Sequence, residues 1–185
     1  ILRFLGSQAP WVWQEVRPVL LAAGTITAVF GALVAIGQRD LKRLLAYSTA
    51  SQMGYVVAAV ALGTAGGVAA ALVQIAAHAF VKSALFLGAG AAMAFTGARR
   101  WDRMGGLMKH SPLLAVAMLI ALLSLAGLPP LAGFVAKLGI FGALLEAEAW
   151  LALAGLLLAS TAMLYVCARV WLGIFGGRAE HERRP

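Results

Sequence analysis

The sequence predicts an all-α integral membrane protein, and three observations lead to this fold class. Hydrophobic residues make up 62% of the chain and charged residues 12%, with a mean hydropathy of +0.90, as is typical of polytopic membrane proteins. The apolar residues lie in segments of about 20 residues or more, the length that an α-helix needs to cross a bilayer. The charged residues gather in the short stretches between these segments. A soluble domain of this length could not bury so much apolar surface.

Five membrane-spanning helices are predicted, in a single transmembrane domain that covers residues 1–185. Their ranges are 18–37, 44–62, 68–96, 112–145 (broken near 127–130) and 150–175. Residues 1–17 are interpreted as the end of a preceding helix followed by an outer loop, and residues 176–185 as a polar cytoplasmic tail. The chain opens mid-pattern, without an initiator methionine or a signal peptide, so we expect it to be part of a longer membrane protein.

The first predicted helix begins at Pro18, because proline suits the first turn, where its missing N–H is not needed. Trp11 and Trp13 precede it, and tryptophan favours the lipid–water interface. A charged turn at 38–43 separates this helix from the second, and a glycine-rich turn at 63–67 ends the second. Four hydroxyl-bearing residues of the second helix are interpreted as packing or hydrogen-bonding groups between helices: Tyr47, Ser48, Ser51 and Tyr55.

The third predicted helix carries polar residues inside the membrane. Gln74, His78 and Lys82 are spaced by four and therefore share one helix face. Lys82 lies about 21 Å from either end of this helix, further than a lysine can reach by snorkelling. A charge near the midplane costs about 2.5–3.5 kcal/mol on the insertion scale. We therefore predict a proton relay between His78 and Lys82, extended by Gln74; the alternative is a hydrogen-bonded core histidine beside a lysine that faces a water pocket.

The fourth predicted helix is interrupted at Gly127, Pro129 and Pro130. The two prolines lack backbone donors and clash with the preceding turn, so the helix must break there. Lys137 follows seven residues after Pro130. Broken helices with ionisable residues beside the break recur at the ion sites of transporters. We predict that Lys137 belongs to a proton pathway; the alternative is a lysine that snorkels to the outer interface, about 13 Å away.

The cationic residues concentrate on one predicted side of the membrane. The loops at 38–43 and 97–111 and the tail at 176–185 share a side if each helix crosses once, and they hold most of the lysines and arginines. The positive-inside rule predicts that this side is cytoplasmic, in a multi-pass protein of the cell inner (plasma) membrane. Because the net charge of +8 is explained by these helix ends, it does not indicate a nucleic-acid partner.

The sequence indicates no cofactor, no metal site and no redox or hydrolytic active site. A single cysteine, Cys167, cannot form a disulfide within the chain or ligate an iron–sulfur cluster by itself. Of the three histidines only His78 lies in a predicted span, which argues against a haem held by two histidines of this chain. Any redox role would therefore belong to partner subunits.

Three stretches, taken together, resemble one family. They are DLKRLLAYST at 40–49, HAFVKSALFL at 78–87 and LAGLPPLAGF at 125–134. In this order and spacing they are similar to the proton-translocating antiporter-like subunits shared by respiratory complex I (NADH-quinone oxidoreductase), membrane-bound hydrogenases and Mrp-type sodium/proton antiporters. The resemblance covers nearly all of residues 18–175.

The resemblance implies a fourteen-helix fold with two inverted five-helix repeats, of which this chain would be the C-terminal part. It also implies a buried polar axis in which Lys137 matches the cation beyond the helix break, and His78 and Lys82 match positions that lead to it. The implied function is proton, or sodium/proton, translocation beside other membrane subunits of an antiporter, complex I or hydrogenase assembly. Lysine at both positions 82 and 137 favours an Mrp D-like or hydrogenase-like subunit. The alternative is a proton-pumping subunit of NADH-quinone oxidoreductase or a hydrogenase, coupled to electron transfer in partners.

Overall fold

A computed structural model describes residues 10–177, and the regular elements within this range are helical. The α-helices are α1 (Pro10–Gly37), α2 (Leu41–Ala61), α3 (Ala65–Thr96), α4 (Leu107–His110), α5 (Pro112–Ala126), α6 (Ala132–Glu146) and α7 (Trp150–Phe175). A 3-10 turn at Trp101–Arg103 precedes α4. The predicted end of a preceding helix and most of the predicted tail at 176–185 fall on residues 1–9 and 178–185, which lie outside the described range.

The predicted all-α membrane fold is confirmed. Four of the described helices, α1, α2, α3 and α7, are long and apolar enough to cross a membrane. The shorter helices α5 and α6 follow one another and occupy the predicted fourth span, 112–145. The predicted break near 127–130 is confirmed as well, because α5 ends at Ala126 and α6 begins at Ala132.

Helix α1 begins at Pro10, so the prediction of a loop across 10–17 and of a helix start at Pro18 was wrong. Pro10 takes the first helical position, which was assigned to the later proline. Gln14, Glu15 and Arg17 are good helix formers and continue the helix up to Pro18. Pro18 therefore lies inside α1, in its third turn, where it removes one backbone donor and its ring crowds the Gln14 carbonyl group.

Side-chain caps set the starts of α2 and α3 a few residues earlier than predicted. The Asp40 carboxylate accepts a hydrogen bond from the Arg43 backbone N–H at 3.1 Å, which makes the second half of the charged turn helical. The Thr64 hydroxyl oxygen accepts one from the Gly67 N–H at 3.1 Å. Both are N-caps, which satisfy backbone donors that the first helical turn leaves unpaired.

Helices α1 and α2 pack with their backbones in close approach. A Cβ atom on Gly54 would overlap the backbone of Ala28, and one on Gly24 would lie 2.6 Å from the Ala58 nitrogen. The Ser51 hydroxyl donates to the Ala28 carbonyl oxygen at 2.8 Å. Small residues and interhelical hydrogen bonds of this kind drive helix association in lipid, where the hydrophobic effect between helices is weak. Helix α2 also packs against α3.

Helix α3 packs against α2, α5 and α6, and α7 packs against α1 and α5. The buried polar side chains within this arrangement are Ser48, Ser51, Gln52, Gln74, His78, Lys82, Ser124 and Lys137. They come from α2, α3 and the two halves of the broken helix. The centre of the bundle is therefore polar where these elements meet.

The two cationic loops lie together at one end of the bundle. The Leu41 N–H donates to the Arg99 carbonyl oxygen, and the Trp101 N–H donates to the Arg39 carbonyl oxygen, both at 3.1 Å. The Trp101 indole N–H also donates to the Gln38 carbonyl oxygen at 2.9 Å. The loops at 38–43 and 97–111 thus share one side of the bundle, as the sequence predicts.

A charged pair lies in the second of these loops. The Arg100 guanidinium donates two hydrogen bonds to the Asp102 carboxylate, at 3.1 and 2.8 Å. These bonds and the positive charge hold the pKa of Asp102 below its usual value. The loop is therefore ordered by contacts within itself as well as by those with the α1–α2 turn.

Candidate functional site

Lys137, on α6, is buried, with 2% of its surface exposed. Its Nζ donates hydrogen bonds to the carbonyl oxygens of Leu125 and Ala126, at 3.2 and 2.7 Å, and to the Ser160 hydroxyl of α7 at 3.0 Å. An ammonium group carries three donors, so each proton has an acceptor. The side chain therefore turns back toward the helix break and does not extend to the outer interface.

The helix break supplies two of these acceptors. In a continuous helix, the carbonyl oxygens of Leu125 and Ala126 would accept hydrogen bonds from the N–H groups four residues later. Those positions are Pro129 and Pro130, which have no N–H to donate. The prolines thus free the two carbonyls that Lys137 binds. This is the strongest structural link between the predicted break and the predicted pathway lysine.

Two glycines allow this local fold. Gly127 ends α5 in the left-handed region, with φ of 89°, which favours glycine. Gly133 is in the first turn of α6, where a Cβ atom would overlap the Ser124 carbonyl oxygen. The Gly133 N–H also donates to the Ser124 hydroxyl oxygen at 3.2 Å. The two half-helices therefore meet without an intervening side chain.

Lys82 is held by α2 in a similar way, with 7% of its surface exposed. Its Nζ donates to the Leu45 carbonyl oxygen at 2.8 Å and to the Ser48 hydroxyl oxygen. The Ser48 hydroxyl in turn donates to the same Leu45 carbonyl at 2.9 Å. Both intramembrane lysines therefore bind main-chain carbonyls and one serine.

Gln74 and His78 line the same face of α3 as Lys82. The Gln74 amide donates to the Gln52 amide oxygen of α2 at 2.8 Å. Both ring nitrogens of His78 are buried without a hydrogen-bond partner in the part of the chain that the structure describes. The predicted stripe of Gln74, His78 and Lys82 thus faces the protein interior, and its middle member has unused hydrogen-bonding capacity.

A second polar stripe, on α2, connects the two lysines. Ser48, Gln52 and Tyr55 are spaced by four and three, so they share one helix face. Ser48 contacts Lys82, while the Tyr55 ring centroid lies 5.3 Å from the Nζ of Lys137. The Tyr55 hydroxyl donates to the Leu156 carbonyl oxygen at 2.6 Å. This face of α2 therefore runs from one lysine to the other.

Part of this arrangement is not predicted from the sequence. Ser48 and Tyr55 were interpreted as packing or hydrogen-bonding groups between helices and not as part of the pathway, and Gln52 was not singled out, although the helical spacing of the three is visible in the sequence. Ser160 carries no such signal, because α7 has no polar stripe around it.

The site is basic and contains neutral oxygen acceptors. The acidic residues within the described range lie at or near helix ends: Glu15, Asp40, Asp102, Glu146 and Glu148. No group of three or more His, Cys, Asp or Glu that could hold a metal ion occurs within residues 10–177. Lysine and histidine bind and release protons, so the chemistry that these residues can perform is proton transfer.

The family described as NADH:quinone oxidoreductase/Mrp antiporter, TM matches residues 1–163. Among curated relatives, a Na(+)/H(+) antiporter subunit of Alkalihalophilus pseudofirmus is 39% identical over 163 residues, covering 88% of this chain and 33% of the relative. An NADH-quinone oxidoreductase subunit of Desulforudis audaxviator is 41% identical over 148 residues, covering 78% of this chain and 30% of the relative. The chain therefore spans about a third of the length of these relatives.

This chain has the same fold as part of one chain in each of two solved assemblies. The Mrp complex from Dietzia sp. DQ12-45-1b matches with a TM-score of 0.84 at 37% identity, over 88% of this chain and 30% of that chain. Respiratory complex I from Thermus thermophilus with bound NADH matches with a TM-score of 0.87 at 32% identity, over 92% of this chain and 36% of that chain. The same helical arrangement thus occurs in both kinds of assembly.

Proposed function

Because the chain belongs to the NADH:quinone oxidoreductase/Mrp antiporter membrane-subunit family, we propose that it translocates protons, alone or in exchange for sodium, within a multisubunit complex. The observation that carries this proposal is the geometry of Lys137. Three oxygen atoms accept hydrogen bonds from its buried ammonium group, and a proline pair frees two of them. Together they form a specific binding site for a positive charge inside a membrane.

Lys137 and Lys82 act as proton carriers in this proposal. Each can hold a proton at Nζ, where carbonyl and hydroxyl oxygens replace the water that it would bind outside the membrane. Protonating one lysine disfavours protonating the other, because like charges repel strongly at low dielectric. When one lysine is protonated, this repulsion therefore favours release of the proton from the other.

His78 passes protons between the two lysines, with Gln74 extending the line. A neutral imidazole has one N–H donor and one bare nitrogen, so it can accept a proton on one side and release one on the other. Gly127, Pro129 and Pro130 are the helix break that positions Lys137. Neither a cofactor nor a metal ion takes part in this proposed route.

The orientation follows from the cationic loops. We place the loops at 38–43 and 97–111, with the tail at 176–185, on the cytoplasmic side of the inner (plasma) membrane. The excess of lysine and arginine there supports this placement, and so does the contact between the two loops at one end of the bundle.

Other membrane subunits are the proposed partners. An Mrp-type antiporter is our first choice, on the ground that both pathway positions are lysines. The second candidate is a proton-pumping subunit of NADH-quinone oxidoreductase or a membrane-bound hydrogenase, and the identity to the NADH-quinone oxidoreductase relative from Desulforudis audaxviator favours it. In that setting the same lysines move protons, and electron transfer takes place in partner subunits.

The test is the Lys137→Ala variant of the full-length protein in its complex. Removing a proton carrier should lower proton or sodium movement into vesicles by about 100-fold or more, while assembly is retained. Lys109→Ala is the matched control, because Lys109 is exposed in the cationic loop. A normal transport rate in an assembled Lys137→Ala complex would contradict the proposed function.

A second comparison tests the relay. If Lys82 and His78 serve one path, the double variant Lys82→Ala, His78→Ala should transport no more slowly than the worse single variant. Losses that add in free energy would instead give the two residues separate roles.

A further inference from the structure

The buried ammonium group of Lys137 has no carboxylate partner among the described residues. The ion pairs in that part of the chain lie in the cationic loops, Arg99 with Asp40 and Arg100 with Asp102. A positive charge inside a membrane is costly unless charged or polar groups compensate it. Within the described range, neutral groups must therefore offset the charge of Lys137.

The aromatic ring of Tyr55 is one of these neutral groups. The Lys137 Nζ lies over the ring, 5.3 Å from its centroid. The face of an aromatic ring carries negative charge density and attracts a cation within about 6 Å. The three N–H groups of Lys137 already have oxygen acceptors, so the attraction of the ring adds to those hydrogen bonds.

Contacts with two helices fix the ring in this place. The Tyr55 side chain is fully buried, and its hydroxyl donates to the Leu156 carbonyl oxygen of α7 at 2.6 Å. Phe141 of α6 packs against it in a tilted orientation, with 6.4 Å between the ring centroids. Lys137 lies one turn before Phe141, and Ser160, which binds Lys137, lies one turn after Leu156. The ring is thus held by the two helices that carry the lysine and its serine partner.

We propose that Tyr55 is a positioning residue, which holds the Lys137 ammonium group beside the helix break through a cation–π contact. The inference rests on the proposed function, since it concerns the same proton carrier. The contact attracts the ammonium group because of its charge, and a neutral amine lacks that charge. Tyr55 therefore helps Lys137 to keep its proton at the break until repulsion from a second protonated lysine favours release.

Two other roles for Tyr55 make different predictions. A tyrosine that acts through its hydroxyl would depend on the hydrogen bond to Leu156 and not on the ring. That bond ends on a main-chain carbonyl oxygen, which does not pass a proton on, so this role has less support. A tyrosine that only fills space would depend on the size of the ring and not on its charge distribution.

The first test uses the full-length protein in its complex, with transport measured in vesicles. Tyr55→Phe keeps the ring and should slow transport by no more than about tenfold, the effect of one lost hydrogen bond. Tyr55→Leu removes the ring and should slow transport about 30-fold, the effect of a desolvated cation–π contact. Equal losses in the two variants would assign the role to the hydroxyl and overturn the inference.

Fluorinated phenylalanines separate the charge distribution of the ring from its size. Ring fluorines withdraw negative charge density from the ring face and change its shape little, so transport should fall with each fluorine added to a phenylalanine in place of Tyr55. The same series in place of Phe141 is the matched control, because that ring packs against Tyr55 while Tyr55 makes the contact with Lys137. Transport that does not depend on the number of fluorines at residue 55 would overturn the inference. This series keeps the test decisive if Tyr55→Leu fails to assemble.

The unfolding midpoint of the complex gives a readout independent of transport. With Lys137 present, the midpoint should fall as fluorines are added to the ring at residue 55. In the Lys137→Met background, which has a neutral side chain of similar length, the fluorines should leave the midpoint unchanged. Equal shifts in both backgrounds would overturn the inference. Normal transport by Tyr55→Leu, beside an inactive Lys137→Ala, would overturn it and leave the proposed function standing.

Discussion

Gly133 offers a stringent test of how the two half-helices meet. In the structure, a Cβ atom at this position overlaps the Ser124 carbonyl oxygen, which is a backbone atom and cannot rotate away. Gly133→Ala must therefore separate the end of α5 from the start of α6. Overpacking of this kind costs about 1–3 kcal/mol, and a backbone clash belongs at the upper end of that range.

Gly142, on the same helix, is the matched control. No atom lies within 4 Å of a Cβ built there, so Gly142→Ala meets no clash within the described range. Replacing a helical glycine with alanine stabilises by up to about 1 kcal/mol. The two alanine variants should therefore move the unfolding midpoint of the full-length protein in opposite directions.

Transport should separate the same two variants. Lys137 follows Gly133 by one helical turn, so a displaced α6 moves its Nζ away from the Leu125 and Ala126 carbonyl oxygens. We expect Gly133→Ala to slow proton movement and Gly142→Ala to leave it unchanged. Equal stability and equal transport in both variants would refute the reasoning that close contact across the break positions Lys137.

Two further predictions concern polar contacts. Ser48→Ala removes the hydroxyl acceptor of Lys82 and leaves it the Leu45 carbonyl; we expect transport in vesicles to fall about tenfold, the effect of one charge-assisted hydrogen bond, with Ser83→Ala unchanged. In the cationic loop, Arg100 lowers the pKa of Asp102, so the ionised carboxylate stabilises the fold above about pH 4 and this contribution is lost as the pH falls through the lowered pKa. Asp102→Asn should therefore lower the free energy of unfolding at pH 7 by no more than about 1 kcal/mol, because the pair is partly exposed. The difference between the variant and the original protein should vanish in acid. A difference that persists at low pH would assign the effect to something other than this carboxylate.

The sequence was most informative where the physics is local. Proline removes a backbone donor wherever it stands, and a lysine in an apolar membrane segment is costly, so the break and both buried lysines could be identified without a structure. The resemblance then placed them in one family, which the comparisons confirmed.

What the sequence could not provide were the partners across helices. Ser160 and Gln52 become significant only because α7 and α2 pack beside the broken helix and α3, and no periodic signal specifies those pairings. The start of α1 was misassigned for a related reason. Two prolines, Pro10 and Pro18, each satisfied the rule for a first helical turn, and the rule alone could not choose between them.

The geometry at the break has an evolutionary consequence. A descendant that lost Pro129 and Pro130 would restore backbone donors to Leu125 and Ala126, and the Lys137 ammonium would lose two of its acceptors. A descendant that lost only Lys137 would keep two buried carbonyls without that donor. Either single step is therefore worse than taking both, so the proline pair and the lysine are expected to be inherited, or to disappear, as one unit.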